Sequence, residues 1–428
     1  MNKFISVIEN KLTPIGEKVG KNKILKIISN SFNYVLPVII IGALASLVSS
    51  IQIPAYQEFL TKYDLKPFLA LSSTFTTGIV SIFVVFCVAY TYLKEQDLSI
   101  DAVLSGIFAI IAFFIMSPLQ IIEVNDTPTQ FIGFDYIGSK GLFLAIVIGL
   151  LVGFTYTVFL KKDISIKMGD GVPPLVGKSL SSLLPGATII IVSIVINAIF
   201  SVTLNTTVSE WFYSFVTAPL MGFSDSYFSF ALLQLLAGLF WFLGIHGGQI
   251  TMPISMMLFL QAGLANQEAY ASGEPMKNII TMGLSALIIC GGIGGTLGLS
   301  LNMLLFSKSE KNKKLGKLAI LPSIFNINEP IMFGTPIILN PILIVPFILV
   351  PQITLLIAYV VIKVGLVSLP RIAMGALGIP VLVGGFMTAG VGGLILEIIL
   401  IVVSLLCYYP FFKVQDNIEL NKEKAINK

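Results

Sequence analysis

Apolar residues run along this chain in blocks of roughly 17 to 28, separated by short breaks rich in Lys, Gly, Pro or Asn. Blocks of that length match the ~20 helical residues that cross a ~30 Å hydrocarbon core. They fall at about 31–50, 70–93, 100–119, 139–160, 185–204, 227–244, 249–265, 279–306, 341–363 and 384–409. The pattern predicts an all-α membrane protein of about ten transmembrane helices. Two further stretches, 172–184 and 318–340, are apolar overall but cut by Pro, Gly and Asn. Irregular backbone at membrane depth survives only where protein or a water-filled cavity satisfies its polar groups. Re-entrant hairpins or amphipathic interfacial helices are therefore expected there.

Composition sharpens this reading. Across 428 residues, 56% are hydrophobic and 11% charged, a balance that a soluble fold has no place to bury. The formal net charge of +4 does not call for nucleic acid, because the Lys residues cluster at the ends of apolar blocks. Positive short loops stay in the cytoplasm. Lys3, Lys11, Lys18, Lys21, Lys23 and Lys26 place the N-terminus there. Lys161, Lys162 and Lys167 do the same for the loop after the fourth span. Lys308, Lys311, Lys313, Lys314 and Lys317 follow the eighth, and Lys422, Lys424 and Lys428 lie in the tail. The stretch 120–138 carries Glu123, Asp126 and Asp135 without Lys and reads as external. Ten spans with both termini cytoplasmic satisfy all of these. Lys363 and Arg371, the only Arg, do not fit, since they flank a connection that this parity places outside.

Cys87, Cys290 and Cys407 stand far apart in apolar stretches, without metal or disulfide spacing, so span packing is expected and no metal or other cofactor. The Lys-rich first 28 residues, interrupted by Pro14 and Gly16, do not resemble a removable signal peptide.

Two places concentrate chemistry. His246, the only histidine, sits between two apolar blocks in Trp241-Phe242-Leu243-Gly244-Ile245-His246-Gly247-Gly248-Gln249. An ionisable group at membrane depth is expensive unless it meets a partner or a cavity, although a hydrogen-bonded histidine closing a helix end is the plainer alternative. Glu329 lies in Phe325-Asn326-Ile327-Asn328-Glu329-Pro330-Ile331-Met332-Phe333-Gly334-Thr335-Pro336. Pro330 and Pro336 exclude an undisturbed helix. Asn326, Asn328 and Glu329 form a dense hydrogen-bonding set suited to hydroxyl-rich ligands, or else a structural cap. An extended tip would put the two Asn on the side opposite Glu329. A bend forced by Pro330 is expected to bring at least one Asn to the wall that carries the carboxylate.

The order of GIHG followed by FNINEPIMFGTPIILNP resembles the enzyme IIC proteins of the lactose, cellobiose and diacetylchitobiose phosphotransferase family. Lys167-Met168-Gly169-Asp170-Gly171-Val172-Pro173-Pro174-Leu175-Val176 is similar to that family's KMPxGVPPxV segment, with Gly169 where the family usually has Pro. Ser179, Leu183-Leu184-Pro185-Gly186 and the N-terminal LTPIGEKVG and LPVIIIGAL extend the likeness over nearly the whole chain. The chain departs from the family at Ala376-Leu377-Gly378-Ile379-Pro380, where a Trp-containing segment is common.

The resemblance implies a homodimeric sugar permease of a bacterial cytoplasmic membrane, set in lipid, one membrane domain over 1–428. Residues 1–220 would be mainly scaffold and dimerisation half, and 221–428 mainly the substrate-binding transport half. It implies a chamber closed by re-entrant hairpins, in which His246 and Glu329 face the 6-hydroxyl of a sugar, a β-linked disaccharide by family expectation. Asn326, Asn328, Gln249 and Trp241 complete the expected contacts. The phosphoryl group would come from a cysteine on a separate cytoplasmic IIB protein, itself charged by IIA, with the Lys-rich inner loops as a docking surface. An ion-coupled secondary transporter that releases unmodified sugar is the alternative. The cluster Gly291-Gly292-Ile293-Gly294-Gly295-Thr296-Leu297-Gly298 follows no strand, so it reads as helix packing in a span and not as a nucleotide loop.

Overall fold

The structure, a computed structural model, describes residues 21–426 other than 50–53, 99–101, 125–126, 166–179, 225, 336, 339 and 376–378. The 167–176 motif, the N-terminal LTPIGEKVG and Pro336 therefore lie outside the described residues. Among the described residues the chain divides into two compact units, residues 23–222 and residues 223–426, the second also including residues 21–22.

The first described unit is built from α1 (Lys23–Ser49), α2 (Pro54–Lys62), α3 (Lys66–Thr74), α4 (Val80–Lys94), α5 (Ala102–Ile115), α6 (Phe134–Ile137), α7 (Leu142–Lys161) and α8 (Leu183–Leu204). The short α9 (Val208–Phe212) and α10 (Ala218–Ser224) follow, joined by a π turn over Tyr213–Thr217. α4 is the centre, packed against α1, α5 and α7. Gly149 and Gly153 share one face of α7, four residues apart, as in a small-xxx-small contact. A Cβ at Gly149 would lie 2.7 Å from Cβ of Val88, and one at Gly153 would lie 2.5 Å from Cβ of Tyr92. These two positions set how closely α7 approaches α4.

The all-helical expectation fails at one point. Leu119–Val124 (β1) and Thr127–Ile132 (β2) pair antiparallel, with Leu119 opposite Ile132 and Val124 opposite Thr127. The sequence explains it: β-prone Ile, Val, Thr and Phe flank Asn125-Asp126, a two-residue turn signal that lies inside the stretch read only as an acidic loop.

The second unit contains α11 (Tyr227–Phe242), α12 (Gly247–Ser272), α13 (Ser285–Ile288), α14 (Leu297–Phe306), α15 (Glu310–Ile324), α16 (Glu329–Gly334), α17 (Ile344–Lys363) and α18 (Val383–Ile426). Its core joins Trp241 of α11, Leu299 and Met303 of α14, Ile331 and Met332 of α16, Phe347 of α17, and Tyr408 and Phe412 of α18. Among the described residues seven helices are long and apolar enough to cross a membrane. Three shorter apolar ones are Ala102–Ile115, Tyr227–Phe242 and Leu297–Phe306.

Three expectations are corrected here. The stretch 279–306 is not one span: α13 and α14 are separated by a loop in which Gly291, Gly292, Gly294 and Gly295 all have φ between +63° and +89°. Lys311, Lys313, Lys314 and Lys317 of the expected Lys loop lie instead in the first turns of α15, with Lys308 just before its N-cap Ser309. The expected 384–409 span is α18, broken at Ala389 and Gly390 and continuing to Ile426. Its last turns are useful to the fold because Asp416 accepts from Ser307 Oγ (2.6 Å), Lys308 N (2.7 Å) and Asn312 Nδ2 (2.9 Å). Glu423 accepts from Ser309 Oγ (2.7 Å) and Lys311 N (2.9 Å). Carboxylates thus cap the start of α15, whose first amides have no partner of their own.

Candidate functional site

α11 ends in a Schellman turn. Ile245 N donates to Phe240 O (2.9 Å) and Gly244 N to Trp241 O (3.0 Å), with Gly244 at φ 79°, where a side chain would be strained. This turn delivers His246 as N-cap of α12. Its Nδ1 accepts from Gln249 N at 3.2 Å, so the neutral ring carries its proton on Nε2. Trp241 backs the ring, centroid to centroid 4.4 Å at 44°.

α16 brings the second group. Asn328 is its N-cap, Glu329 its first residue and Pro330 lies in its first turn, where a missing N–H costs nothing. The expected bend forced by Pro330 is corrected: the proline starts a helix. The tip is not extended either, because Asn326 has φ 61°. Glu329 Oε1 stands 3.6 Å from His246 Nε2, with the side chains 40% and 44% exposed. Two ionisable groups from distant segments of the chain are therefore brought together, each with its side chain partly exposed.

The other expected contacts sit differently. Asn326 Oδ1 accepts from Gly291 N (2.8 Å) and its Nδ2 donates to Ile379 O (3.1 Å). Asn328 Nδ2 donates to Ile293 O (2.7 Å). Both amides are spent on backbone, which the broken glycine loop could not satisfy alone. Trp241 is 3% exposed, so it supports His246 and offers no free ring face. Gln249 contributes its backbone N–H to His246 while its residue is exposed.

The glycine loop belongs to the frame of this site as well as to helix packing, since Cβ atoms at Gly294 and Gly295 would meet Phe347 and Val350 of α17 and one at Gly298 would meet Ser404 of α18. A Cβ at Gly292, φ 89°, would lie 2.8 Å from Asn328 Cγ and 3.0 Å from Asn326 O. Tyr408 Oη donates to Gly294 O (2.7 Å) and Ser404 Oγ to Gly295 O (2.6 Å). The sequence carries five glycines in Gly291–Gly298, a density that fits close helix packing and left-handed turns alike. Arg371, which did not fit the charge pattern, spends its guanidinium on Met387 O (3.0 Å), Phe386 O (2.7 Å) and Tyr270 Oη (2.8 Å). It is a structural cation and carries no information about sidedness.

With a neutral imidazole donating from Nε2 and a carboxylate accepting beside it, the pair can hold one hydroxyl from both sides. The hydroxyl oxygen would accept from Nε2–H and its proton would point at Glu329.

A profile described as "Phosphotransferase system, EIIC" matches residues 29–351. The chain is 31% identical over 420 residues to the "PTS system oligo-beta-mannoside-specific EIIC component" of Bacillus subtilis (strain 168), covering 96% of this chain and 94% of that protein. It is 32% identical over 445 residues to the "PTS system cellobiose-specific EIIC component" of Geobacillus stearothermophilus, covering 99% and 97%. Its structure is similar to the crystal structure of the transporter ChbC, the IIC component from the N,N'-diacetylchitobiose-specific phosphotransferase system. That likeness has a TM-score of 0.91 at 30% identity and covers 98% of this chain and 99% of that one.

Proposed function

Because this chain belongs to the EIIC family of the phosphotransferase system, an integral membrane sugar permease component, we propose that it carries a β-linked disaccharide across a bacterial cytoplasmic membrane and presents its 6-hydroxyl to a phosphorylated IIB protein. The observation that carries this reading is the facing pair His246 and Glu329, both open and on different elements. The sugar class follows from the names of the relatives, which specify oligo-β-mannoside, cellobiose and diacetylchitobiose. In the transfer, the hydroxyl oxygen attacks phosphorus, the bond from phosphorus to the IIB cysteine sulfur breaks, and Glu329 takes the hydroxyl proton while Nε2–H of His246 orients the oxygen.

The finer architecture belongs to the same proposal. Residues 223–428 form the transport half, and the broken segments at 289–296, 325–334 and 379–390 are its re-entrant parts. Residues 23–222 form the scaffold and dimer half. α8 supports this, since Ile191, Val192, Ile194, Val195 and Ile199 are exposed on an apolar helix and await lipid or a second copy. Both termini are cytoplasmic in this proposal, which the Lys distribution supports, and IIA charges the IIB partner.

The test uses membrane vesicles, radiolabelled cellobiose and diacetylchitobiose, and phosphorylated IIB. Label is expected inside as sugar phosphate in the wild type only when IIB is supplied. Glu329→Gln and His246→Ala are expected to lose phosphorylation by at least about 100-fold, the scale of one general base or orienting group. The protein is expected to remain folded in both. Free sugar accumulating on a proton or sodium gradient without IIB overturns the reading.

A further inference from the structure

Glu397 is a carboxylate fully buried inside α18, far along the chain from the site, and none of the chemistry above uses it. Its Oε2 accepts from Leu382 N (2.8 Å) and Gly385 N (2.9 Å), and its Oε1 has no partner among the described residues. A Cβ at Gly385 would collide with that same Oε2, so only glycine admits the carboxylate. Such a group is costly to bury and stays only where its bonds are needed.

What it holds is a helical turn at 383–388, between the left-handed Leu382 (φ 73°) and the break at Ala389 and Gly390. A non-glycine residue at positive φ is strained and persists only where its surroundings over-determine it. Arg371 grips the other end of the turn, at Phe386 O and Met387 O, with its own N–H on Thr388 O (2.9 Å). An acceptor oxygen at the start and a cation at the end both agree with the turn's dipole.

The edge leading into this turn touches the site. Val381 N donates to Ile324 O (2.7 Å), and Ile379 O accepts from Asn326 Nδ2. Asn326 in turn holds Gly291, Asn328 holds Ile293, and the next residue is Glu329. Hydrogen bonds linked by short stretches of backbone therefore join Glu397 to the residue before the candidate base.

We propose that Glu397 is a positioning residue for the sugar site: as a hydrogen-bond acceptor it fixes the edge 379–382, against which the 324–328 turn is built, and so sets where the Glu329 carboxylate stands relative to His246. The proposal rests on the reading of His246 and Glu329 given above.

The test compares full-length Glu397→Gln, which keeps an acceptor oxygen, with Glu397→Leu, which keeps volume and loses it. Hydrogen exchange of the amides in 380–386 is measured without sugar or partner, and KM and kcat for phosphorylation by phospho-IIB are measured separately. Glu397→Leu is expected to raise exchange in 380–386 and lower kcat by about tenfold or more, with KM moving less than about threefold. Glu397→Gln is expected to restore both to near wild type. In a Glu329→Gln background Glu397→Leu should add no further loss of residual phosphorylation, because the group it positions has already gone. Should Glu397→Leu not fold, Gly385→Ala displaces the carboxylate from outside and is expected to show the same kcat loss. Unchanged exchange and kcat, a Gln variant as damaged as Leu, or a further loss in the Glu329→Gln background each overturn the proposal. Wild type that makes no sugar phosphate overturns the reading of the site and the positioning role with it, whatever the exchange shows.

Discussion

The two units differ in how far most of their polar side chains reach. In residues 23–222, hydroxyls inside apolar helices mostly bond back to their own helix. Ser105 bonds Ala102 O, Ser117 bonds Phe113 O, Thr155 bonds Leu151 O and Ser193 bonds Ile189 O. In residues 223–428, polar side chains reach distant backbone. Asn302 bonds Leu405 O, Asn266 bonds Asn278 O and Pro370 O, Gln267 receives Ala373 N, and Ser404 and Tyr408 close on the glycine loop. The difference follows from the backbone. An unbroken helix satisfies its own N–H and C=O groups, so its polar side chains are free to be idle. A backbone broken at depth leaves groups that only a polar side chain can answer. The cost in asparagine, glutamine and carboxylate is concentrated where the chain leaves the helix, and His246 and Glu329 stand at such exits.

The strongest way to break this comparison is to add one carbon in each unit. Gly292→Ala places a Cβ against Asn328 and Asn326 at φ 89°. Backbone strain and overpacking together cost several kcal/mol, and a fall in melting temperature on the order of 10 °C is expected. Gly222→Ala, with nothing within 4 Å, should move it by less than about 2 °C. Equal, small shifts would show that the glycine loop is not constrained as described.

A smaller effect separates the two asparagines. Asn326→Leu strips a partner from Gly291 N and from Ile379 O, whereas Asn328→Leu strips one from Ile293 O. At about 1–3 kcal/mol for each buried group left unpaired, both variants should melt lower and Asn326→Leu lower still. Weakened sugar affinity at unchanged melting temperature would return these amides to the sugar, as their residue type alone suggested.

Long apolar helices and the chemistry-bearing pair were legible in the sequence because each is local. A span is a block of about 20 residues, and His246 and Glu329 are rare ionisable groups in apolar surroundings. The β-hairpin at 119–132 was legible too, through Asn125-Asp126 between β-prone residues, but an acidic loop explained the same letters. The role of Gly291–Gly295 was not legible. Glycine density in a membrane chain reads equally as close helix packing or as left-handed turns, and only Asn326 and Asn328, far along the chain, decide between them. Trp241 was ambiguous in the same way: an indole beside a histidine is a platform or a buttress depending on what packs around it, and here it is 3% exposed with Phe333 of α16 edge-on at 6.4 Å. The length of α18 was hidden because Asp416, Glu419 and Glu423 make a polar tail until the start of α15 supplies backbone amides to Asp416 and Glu423 and the Lys311 ammonium to Glu419.

The smallest expected effect lies in the self-sufficient unit, where a polar side chain answers a helix end beside it. Thr207 caps α9: its Oγ1 accepts from Glu210 N (3.3 Å), and Glu210 returns the bond by accepting from Thr207 N (2.9 Å) and Thr207 Oγ1 (2.9 Å). Partial burial pushes the Glu210 carboxyl up, but these bonds and one from Thr206 Oγ1 outweigh it and hold the group below its ordinary value. A carboxylate favoured in the folded state contributes stability above its unfolded pKa, near 4.3 in model peptides, and that contribution is lost as pH falls through the lower folded value. Thr207→Ala should therefore cost about 1 kcal/mol at neutral pH. Glu210→Gln should lower the melting temperature at pH 7 and approach the wild type as the pH is brought below about 4. The gap between the two curves is the measurement. A gap that widens toward acid would mean that the carboxylate is strained in its cap, and that even the regular half of the chain keeps a polar group against its own preference.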